Sequence, residues 1–214
     1  MNQFIQLALA NGVPLDTLVL VLILPIIVTL IAFFRQVIGI KAFGIYTPAI
    51  VTFAFLATNQ LKYGITIFIT VIAVGTLTRF ILKRVRLLYL PRVAIMITIV
   101  GFSILFLLFI GGIYDRTGLA SVSIFPILIM ITLVEKFVAV QIEKGGRAAI
   151  LLAAETLIIS IIGYYIASWP AMIGLVLNHP WAILFTIPIN VLLGKWTGLR
   201  LSEYFRFRQI IKSK

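Results

Sequence analysis

Long runs of apolar residues, separated by short polar and charged stretches, dominate the chain. A helix needs about 20 predominantly apolar residues to cross a bilayer. The runs are too uniformly apolar for the alternating strands, about 10 residues long, of a membrane β-barrel. The pattern predicts an all-α, polytopic membrane protein, one domain over residues 1–214, with about seven spans at 15–34, 43–58, 63–82, 93–113, 119–134, 149–168 and 180–197.

Two of these runs are short for a spanning helix, namely residues 43–58 and 119–134. The run at 180–197 also falls short unless Lys195 reaches the membrane interface with its charged end. Residues 171–177 are apolar but cannot span a bilayer alone. We expect them to form an interfacial or re-entrant piece.

Composition supports lipid as the main solvent of the chain. Hydrophobic residues make up 62% of it and charged residues 11%, against roughly 25% charged in a typical soluble domain. The net charge of +12 could suggest nucleic acid. However, the cations sit in short clusters between apolar runs, as in membrane-flanking loops, so no nucleic-acid partner is predicted.

The sequence offers little material for catalysis or cofactor binding. It contains no cysteine and only one histidine, His179, so thiolate metal sites and thiol nucleophiles are excluded. A lone histidine without clustered carboxylates makes no convincing metal site. No hydrolase elbow, zinc-protease or phosphate-loop motif occurs. We predict no cofactor, no metal and no enzymatic activity.

The distribution of cations between alternate loops predicts the orientation in the membrane. With seven spans, only Lys62 and Arg116 fall on one side, and the other sixteen of the eighteen Lys and Arg residues fall on the opposite side. The cation-rich side of a membrane protein usually faces the cytoplasm. The N-terminus is therefore predicted outside the cytoplasm and the C-terminus inside. Trp169 and Trp181 lie near the outer boundary, where aromatic rings prefer the headgroup level.

The second and fifth predicted helices share a proline near their start. Tyr46 and Thr47 precede Pro48, and Ser123 lies just before Pro126. Helices one to three and four to six could therefore be inverted copies, each with a proline-broken middle helix. Such pairs point to a midplane binding site in transporters, with free helix N-termini for an anion. The alternative is that each proline only kinks its helix.

Glu155 is the only carboxylate well inside a predicted span. An ionisable group at that depth is costly and suggests a proton relay or a cation partner. Arg79 and Lys136 are the candidate partners. The structural alternative is an ion pair, or a protonated carboxyl bonded to a neighbouring helix.

Small residues follow one face of the sixth predicted helix at steps of three and four. Such a face usually lets two helices pack closely, and it turns Glu155 toward the protein. Asn190, in the seventh span, is expected to hydrogen-bond between helices for the same reason. The small residues are Ala149, Ala153, Thr156, Ser160, Gly163 and Ala167.

Several strings together resemble a bacterial family of seven-transmembrane-helix domains usually fused to an inactive transglutaminase. The likeness extends over nearly the whole chain. It includes GVPLD, GIKAFGIYTP and LYLPR in the first half, and SIFPIL, EKF and GKWTGLRL in the second. The strings occupy residues 12–16, 39–48, 88–92, 123–128, 135–137 and 194–201.

This resemblance implies a location and a set of partners. The family resides in the inner membrane of Gram-negative bacteria, with the transglutaminase-like domain periplasmic and preceding the seven helices. It implies an ATP-grasp ligase and an aspartic-protease-like protein as partners, and no catalytic residue carries over. The 214 residues hold no such extramembrane domain, so the chain is either a piece of a longer fused protein or a stand-alone member.

A second similarity is to the small membrane subunit of poly-γ-glutamate synthases, which works with a cytoplasmic ligase on an anionic polymer. Three functional hypotheses follow. The first is an inner-membrane scaffold or export component of a peptide-ligase and protease system, handling an anionic peptide. The second is a proton-coupled secondary transporter using Glu155. The third is a passive anchor for a periplasmic transglutaminase-like domain. Oligomeric state is left open.

Overall fold

The computed structural model is mostly helical over the residues it describes, which are 2–58, 60–82, 84–85, 88–113, 124–196, 198 and 201. No strand occurs among them. It contains a π-helical turn, Phe34–Ile38, and a 3₁₀ helix, Pro180–Phe185. The α-helices of the described residues are α1 (Gln3–Ala10), α2 (Leu15–Phe33), α3 (Tyr46–Ala57), α4 (Leu61–Leu82), α5 (Tyr89–Ile113), α6 (Ile124–Lys144), α7 (Gly146–Ala167), α8 (Pro170–Asn178) and α9 (Thr186–Gly194).

The all-α, polytopic membrane architecture predicted from the sequence is confirmed. Five helical segments of the described chain are long and apolar enough to cross a bilayer. They correspond to the first, third, fourth, fifth and sixth predicted spans. That the chain forms one domain over residues 1–214 stays a prediction. The five segments are Leu15–Ile38, Leu61–Leu82, Tyr89–Ile113, Ile124–Lys144 and Gly146–Ala167.

Three predicted spans, the second, the fifth and the seventh, differ from the helices observed. The second predicted span corresponds to α3, whose 12 residues extend about 18 Å, well short of a hydrocarbon core about 30 Å thick. The fifth was predicted to end at residue 134, whereas α6 continues to Lys144. Glu135 and Lys136 do not end it, because both have good helix propensity. Residues 119–123 lie outside the described part of the chain.

The last apolar region is bent rather than straight. The segments Pro170–Asn178 and Pro180–Gly194 meet at 102°, and together they form at most one broken span or a re-entrant loop. Pro180 begins the second segment, and a proline lacks the N–H that would continue the first helix. Residues 171–177, predicted as an interfacial or re-entrant piece, thus form the first arm of this bend.

The short helix α1 was missed by the sequence analysis, which placed no element before residue 15. The side chain of Asn2 caps it by accepting a hydrogen bond from the Phe4 N–H at 3.0 Å. Gly12, at φ +85°, lies just beyond its end. Asparagine before a helix and glycine after it are usual boundary signals, but eight residues are too few to show periodicity.

Contacts divide the chain into two compact units, residues 1–49 with 162–214 and residues 50–161. In the first unit, α2 contacts α8, α9 and the 3₁₀ helix. Asn190 of α9 donates a hydrogen bond to Thr29 Oγ1 at 2.7 Å, and the Thr29 hydroxyl donates to the Pro25 carbonyl. The predicted role of Asn190 as an interhelical hydrogen-bond donor is confirmed.

The second unit has a core in which α4, α5 and α6 each pack against the other two. Close approach between α3 and α4 depends on Gly64, because a Cβ there would lie 2.5 Å from the ring of Phe55. Phe55 is itself fully buried and meets Phe68 edge-on, with ring centroids 6.4 Å apart.

The small-residue face of the sixth predicted span is buried, as expected for a packing surface. All six of its residues lie on α7 and are buried. Ser160 accepts, through its carbonyl, a 3.4 Å hydrogen bond from Thr52 Oγ1 of α3. Glu155 lies next to this face and is half-buried.

The prolines do not break the second and fifth predicted helices, which are α3 and α6 in the structure. Pro48 and Pro126 are each the third residue of a helix, and α3 and α6 continue uninterrupted after them. N–H groups in the first helical turn have no intrahelical partner, so proline costs nothing there.

The shared proline position is not specific to those two helices. Pro91 and Pro188 occupy the same third position in α5 and α9. The boundary of the second unit also falls within α3 and within α7, not between the two proposed halves. The inverted repeat therefore stays a prediction without support from the proline positions.

A basic cavity as the candidate functional site

Four helix ends meet at one end of the second unit. Helix α4 ends at Leu82 and α5 begins at Tyr89, while α6 and α7 are joined by Gly145 alone. Gly145 has φ +87°, a left-handed conformation that glycine adopts without the steric cost that a Cβ brings. This one-residue link places the end of α6 and the start of α7 side by side.

A cavity with two lobes lies among these ends. One lobe, of about 250 Å³, lies between α4, α5 and α6 and is lined by Arg79, Leu82, Arg92, Met96, Val138, Gln141 and Ile142. The other, of about 330 Å³, reaches the start of α7 and is lined by Thr76, Arg79, Phe80, Gln141, Gly146, Arg147 and Ile150. Arg79 and Gln141 line both lobes, so the two lobes adjoin at these side chains.

The guanidinium of Arg79 lies against the first residue of α7. A Cβ on Gly146 would be 2.9 Å from Arg79 Nη1, so the absence of a side chain at residue 146 makes room for the guanidinium. Arg79 is half-buried. It brings a cation to the N-terminus of α7, where the helix dipole is already positive.

Two further cations stand at helix N-termini of this cavity. Arg92 lies in the first turn of α5 and Arg147 is the second residue of α7. Neither helix carries an acidic residue in its first turn, although that is where acidic side chains are stabilising. No carboxylate is among the described residues lining either lobe.

Gln141 brings a buried amide to the same place. Its side chain is 2% exposed, and its Nε2 has no hydrogen-bond partner in the described part of the chain. A buried donor left unsatisfied costs about 1–3 kcal/mol. The first lobe thus brings together Arg79, Arg92 and Gln141, and the second brings together Arg79, Arg147, Gln141 and the N-terminus of α7, so each lobe has donors for an anion.

The structure brings only one of the predicted site residues into this cavity, namely Arg79. Glu155 is nine residues along α7 from Gly146, a distance of about 13 Å along the axis. The Arg79 guanidinium at Gly146 is therefore too far from Glu155 for the predicted ion pair. Lys136 is exposed near the middle of α6, and Pro126 is buried at its start.

The remaining predicted site residues precede or begin two helices. Tyr46 is 79% exposed at the first position of α3, and Thr47 and Pro48 follow it. Ser123 lies outside the described residues. A substrate site formed by these residues stays a prediction.

Sequence reasoning missed Gln141, Gly146, Arg92 and Arg147 as site residues. Arg92 and Arg147 were counted among the cations that set orientation. That count does not indicate which cations lie close together in the fold. Helical spacing could have identified Gln141. It lies three residues after Val138, so its polar side chain falls on the same buried face of the helix. The pair Gly145–Gly146 before Arg147 also marks an unusual helix start.

Comparison with known proteins agrees with the architecture described above. Residues 2–211 match the model of a family described as seven transmembrane helices usually fused to an inactive transglutaminase. Neither a search of curated proteins nor one of solved structures found a match. Because the family match extends over nearly all of the 214 residues, the chain belongs to this family of seven-helix membrane domains.

Proposed function

We propose that this chain is a non-enzymatic scaffold of the bacterial inner membrane that holds together the parts of a peptide-ligase and protease system. The family match supports this proposal most directly, because the family's membrane domain is usually fused to an inactive transglutaminase. A domain that has lost catalysis acts by binding, and fusion to a membrane domain places that binding at the bilayer.

The helix geometry supports a scaffold over a conducting path. A conducting path lined by the starts of the second and fifth predicted spans would need these helices to be broken at Pro48 and Pro126. Helices α3 and α6 instead begin two residues before their prolines and continue unbroken. The buried small-residue face of α7 is typical of close helix packing.

The proposed partners follow from the family resemblance and from the distribution of charge. With the N-terminus in the periplasm, the basic ends of α4 and α6 face the cytoplasm, where an ATP-grasp ligase would dock. A transglutaminase-like domain and an aspartic-protease-like protein would lie on the periplasmic side. The lipid bilayer itself is a further partner.

Affinity capture from native membranes tests the scaffold. The tagged full chain is solubilised in a mild detergent, and the associated proteins are identified by mass spectrometry against an unrelated multi-pass protein with the same tag. The proposal predicts enrichment of an ATP-grasp ligase or an aspartic-protease-like protein. Recovery of neither, under conditions that preserve other membrane complexes, would contradict it.

A proton-coupled transporter is the second candidate, because Glu155 is half-buried within an apolar helix. Proteoliposomes containing the chain distinguish the two. The scaffold predicts no proton-coupled solute flux and predicts that Glu155→Gln leaves partner capture unchanged. Proton-coupled flux that Glu155→Gln abolishes would favour the transporter.

A passive anchor is the third candidate function. It differs from an active scaffold in tolerating amino-acid substitutions more widely. An anchor needs only insertion into the membrane. Substitution of Pro48 and Pro126 by alanine should then leave function intact wherever the protein still inserts. An export component would lose function in the same variants.

A further inference from the structure

We propose that the basic cavity of the second unit is a binding site for a phosphate group, carried either by the headgroup of an anionic phospholipid or by a soluble phosphate. The site is independent of the proposed scaffold function. Loss of the protein partners would leave phosphate binding intact, and loss of phosphate binding would leave partner capture to be judged separately.

Cations are concentrated in this cavity where helix dipoles are already positive. Arg92 and Arg147 stand in the first turns of α5 and α7, and the Arg79 guanidinium lies over the first residue of α7. Cations at helix N-termini repel the dipole, whereas anions are stabilised there. An anion that accepts from Arg79 would be stabilised both by the guanidinium and by the positive end of the α7 dipole.

Gln141 contributes a buried amide to the same cavity. This side chain is almost fully buried, lines both lobes, and has an Nε2 without a partner among the described residues. A ligand oxygen placed between Arg79 and Gln141 would accept from both. The amide therefore indicates a polar ligand, which general attraction between basic loops and a membrane surface does not require.

The donors of the cavity indicate the class of anion. Arginine presents a planar fork of donors that matches phosphate or carboxylate, and it predominates where phosphate is recognised. Phosphate offers oxygens in several directions, which suits a lobe whose donors come from three helices, α4, α5 and α6 in the first and α4, α6 and α7 in the second. The lobes, at about 250 and 330 Å³, are at the small end of ligand pockets and suit a headgroup or a small phosphate.

The second lobe favours a lipid as the source of the phosphate. Phe80 and Ile150 line it, and both are apolar side chains exposed on the outside of the described helices, at 71% and 48%. The cavity thus borders an apolar surface of the kind that acyl chains cover. Arg79 separates this apolar edge from the more polar first lobe.

Native mass spectrometry of the full chain tests the site. The purified protein is delipidated and titrated separately with phosphatidylglycerol, phosphatidylcholine, inorganic phosphate and an oligoglutamate peptide. We expect saturable binding of phosphatidylglycerol, or of inorganic phosphate if the source is soluble. Either result supports a phosphate site and identifies the source. Binding of the oligoglutamate alone, of phosphatidylcholine as tightly as phosphatidylglycerol, or of no probe would overturn it.

Matched variants separate the cavity from general surface charge. Arg79→Gln should weaken binding about 10- to 100-fold, because hydrogen bonds to charged groups are the strong ones. Arg84→Gln removes the same charge just beyond the end of α4, from an exposed residue that lines neither lobe. It should leave affinity within about twofold, because exposed charges are screened and contribute little. Equal losses in the two variants would overturn the proposal.

Gln141→Leu should change the Tm in opposite ways without and with ligand. Without ligand the variant should melt at a higher temperature than the wild type, because it removes a buried donor that lacks a partner. With phosphatidylglycerol or phosphate it should show no ligand-dependent rise in Tm, whereas the wild type should. A lower Tm without ligand together with an undiminished ligand-dependent rise would contradict the assignment.

Discussion

Gly64 is the residue at which the packing of the second unit is most sensitive to added volume. A Cβ there would lie 2.5 Å from Phe55 Cδ1 and 3.0 Å from Thr58 Oγ1. Phe55 is fully buried, and Thr58 is 1% exposed, so neither neighbour has free space into which to move. The sequence did not indicate this contact, because a glycine in an apolar helix has many possible roles and its partner is known only from the fold.

We predict that Gly64→Ala destabilises the protein by about 1–3 kcal/mol, the usual cost of overpacking a core. Gly101→Ala in α5 is the matched control, since no atom of the described residues lies within 4 Å of a Cβ at that position. It should be neutral or slightly stabilising, because alanine favours the helix over glycine. Thermal unfolding in detergent measures both, and equal behaviour of the two variants would count against the packing.

The hydrogen bond from Asn190 to Thr29 joins α9 to α2 at 2.7 Å. In membrane proteins such interhelical bonds contribute about 0.6 kcal/mol on average and at most about 1.7. A double-mutant cycle of Asn190→Ala and Thr29→Val should give a coupling free energy in that range. A coupling of zero would mean that the two side chains do not interact in the membrane.

At the scale of the element, apolar run length predicted which helices exist, and it failed where sequence patterns are ambiguous. The five long helices were predicted because about 20 apolar residues have few alternatives in a bilayer. The prolines were misleading, because Pro48 and Pro126 resemble helix breakers in sequence but lie in first turns. The end of α6 was misplaced because Glu135 and Lys136 resemble a membrane boundary, yet the helix continues.

The buried face of α7 gives the element-scale prediction. Ala153 is 2% exposed on that face, while its neighbour Ala154 is exposed. Ala153→Leu should destabilise the protein by about 1–3 kcal/mol through overpacking. Ala154→Leu should change stability by less than about 0.5 kcal/mol. Thermal unfolding of the pair is the measurement, and a larger cost at Ala154 would place the packing face on the wrong side of α7.

At the scale of the molecule, the membrane class and the family were predictable, whereas the candidate site was not. Composition and run length need no tertiary information. The basic cavity depends on which helix ends meet, and its residues come from α4, α5, α6 and α7. Of the predicted site residues only Arg79 lies there. Helix periodicity places Gln141 on a buried face but does not show which cations it meets.

Orientation is the property on which the scaffold proposal depends, because the ligase and the cation-rich helix ends must be on the same side of the membrane. The chain has no cysteine, so a single introduced cysteine reports its own location without a background signal. Lys144→Cys, at the exposed end of α6, marks the cation-rich side, and Ser168→Cys, exposed just after α7, marks the other.

The most direct test is the labelling of these two variants by a membrane-impermeant maleimide in intact cells, followed by labelling after permeabilisation. Our account predicts that Ser168→Cys reacts in intact cells and that Lys144→Cys reacts only after permeabilisation. Reaction of Lys144→Cys in intact cells, with Ser168→Cys protected, would place the basic cavity in the periplasm. That result would contradict a cytoplasmic scaffold for a peptide ligase.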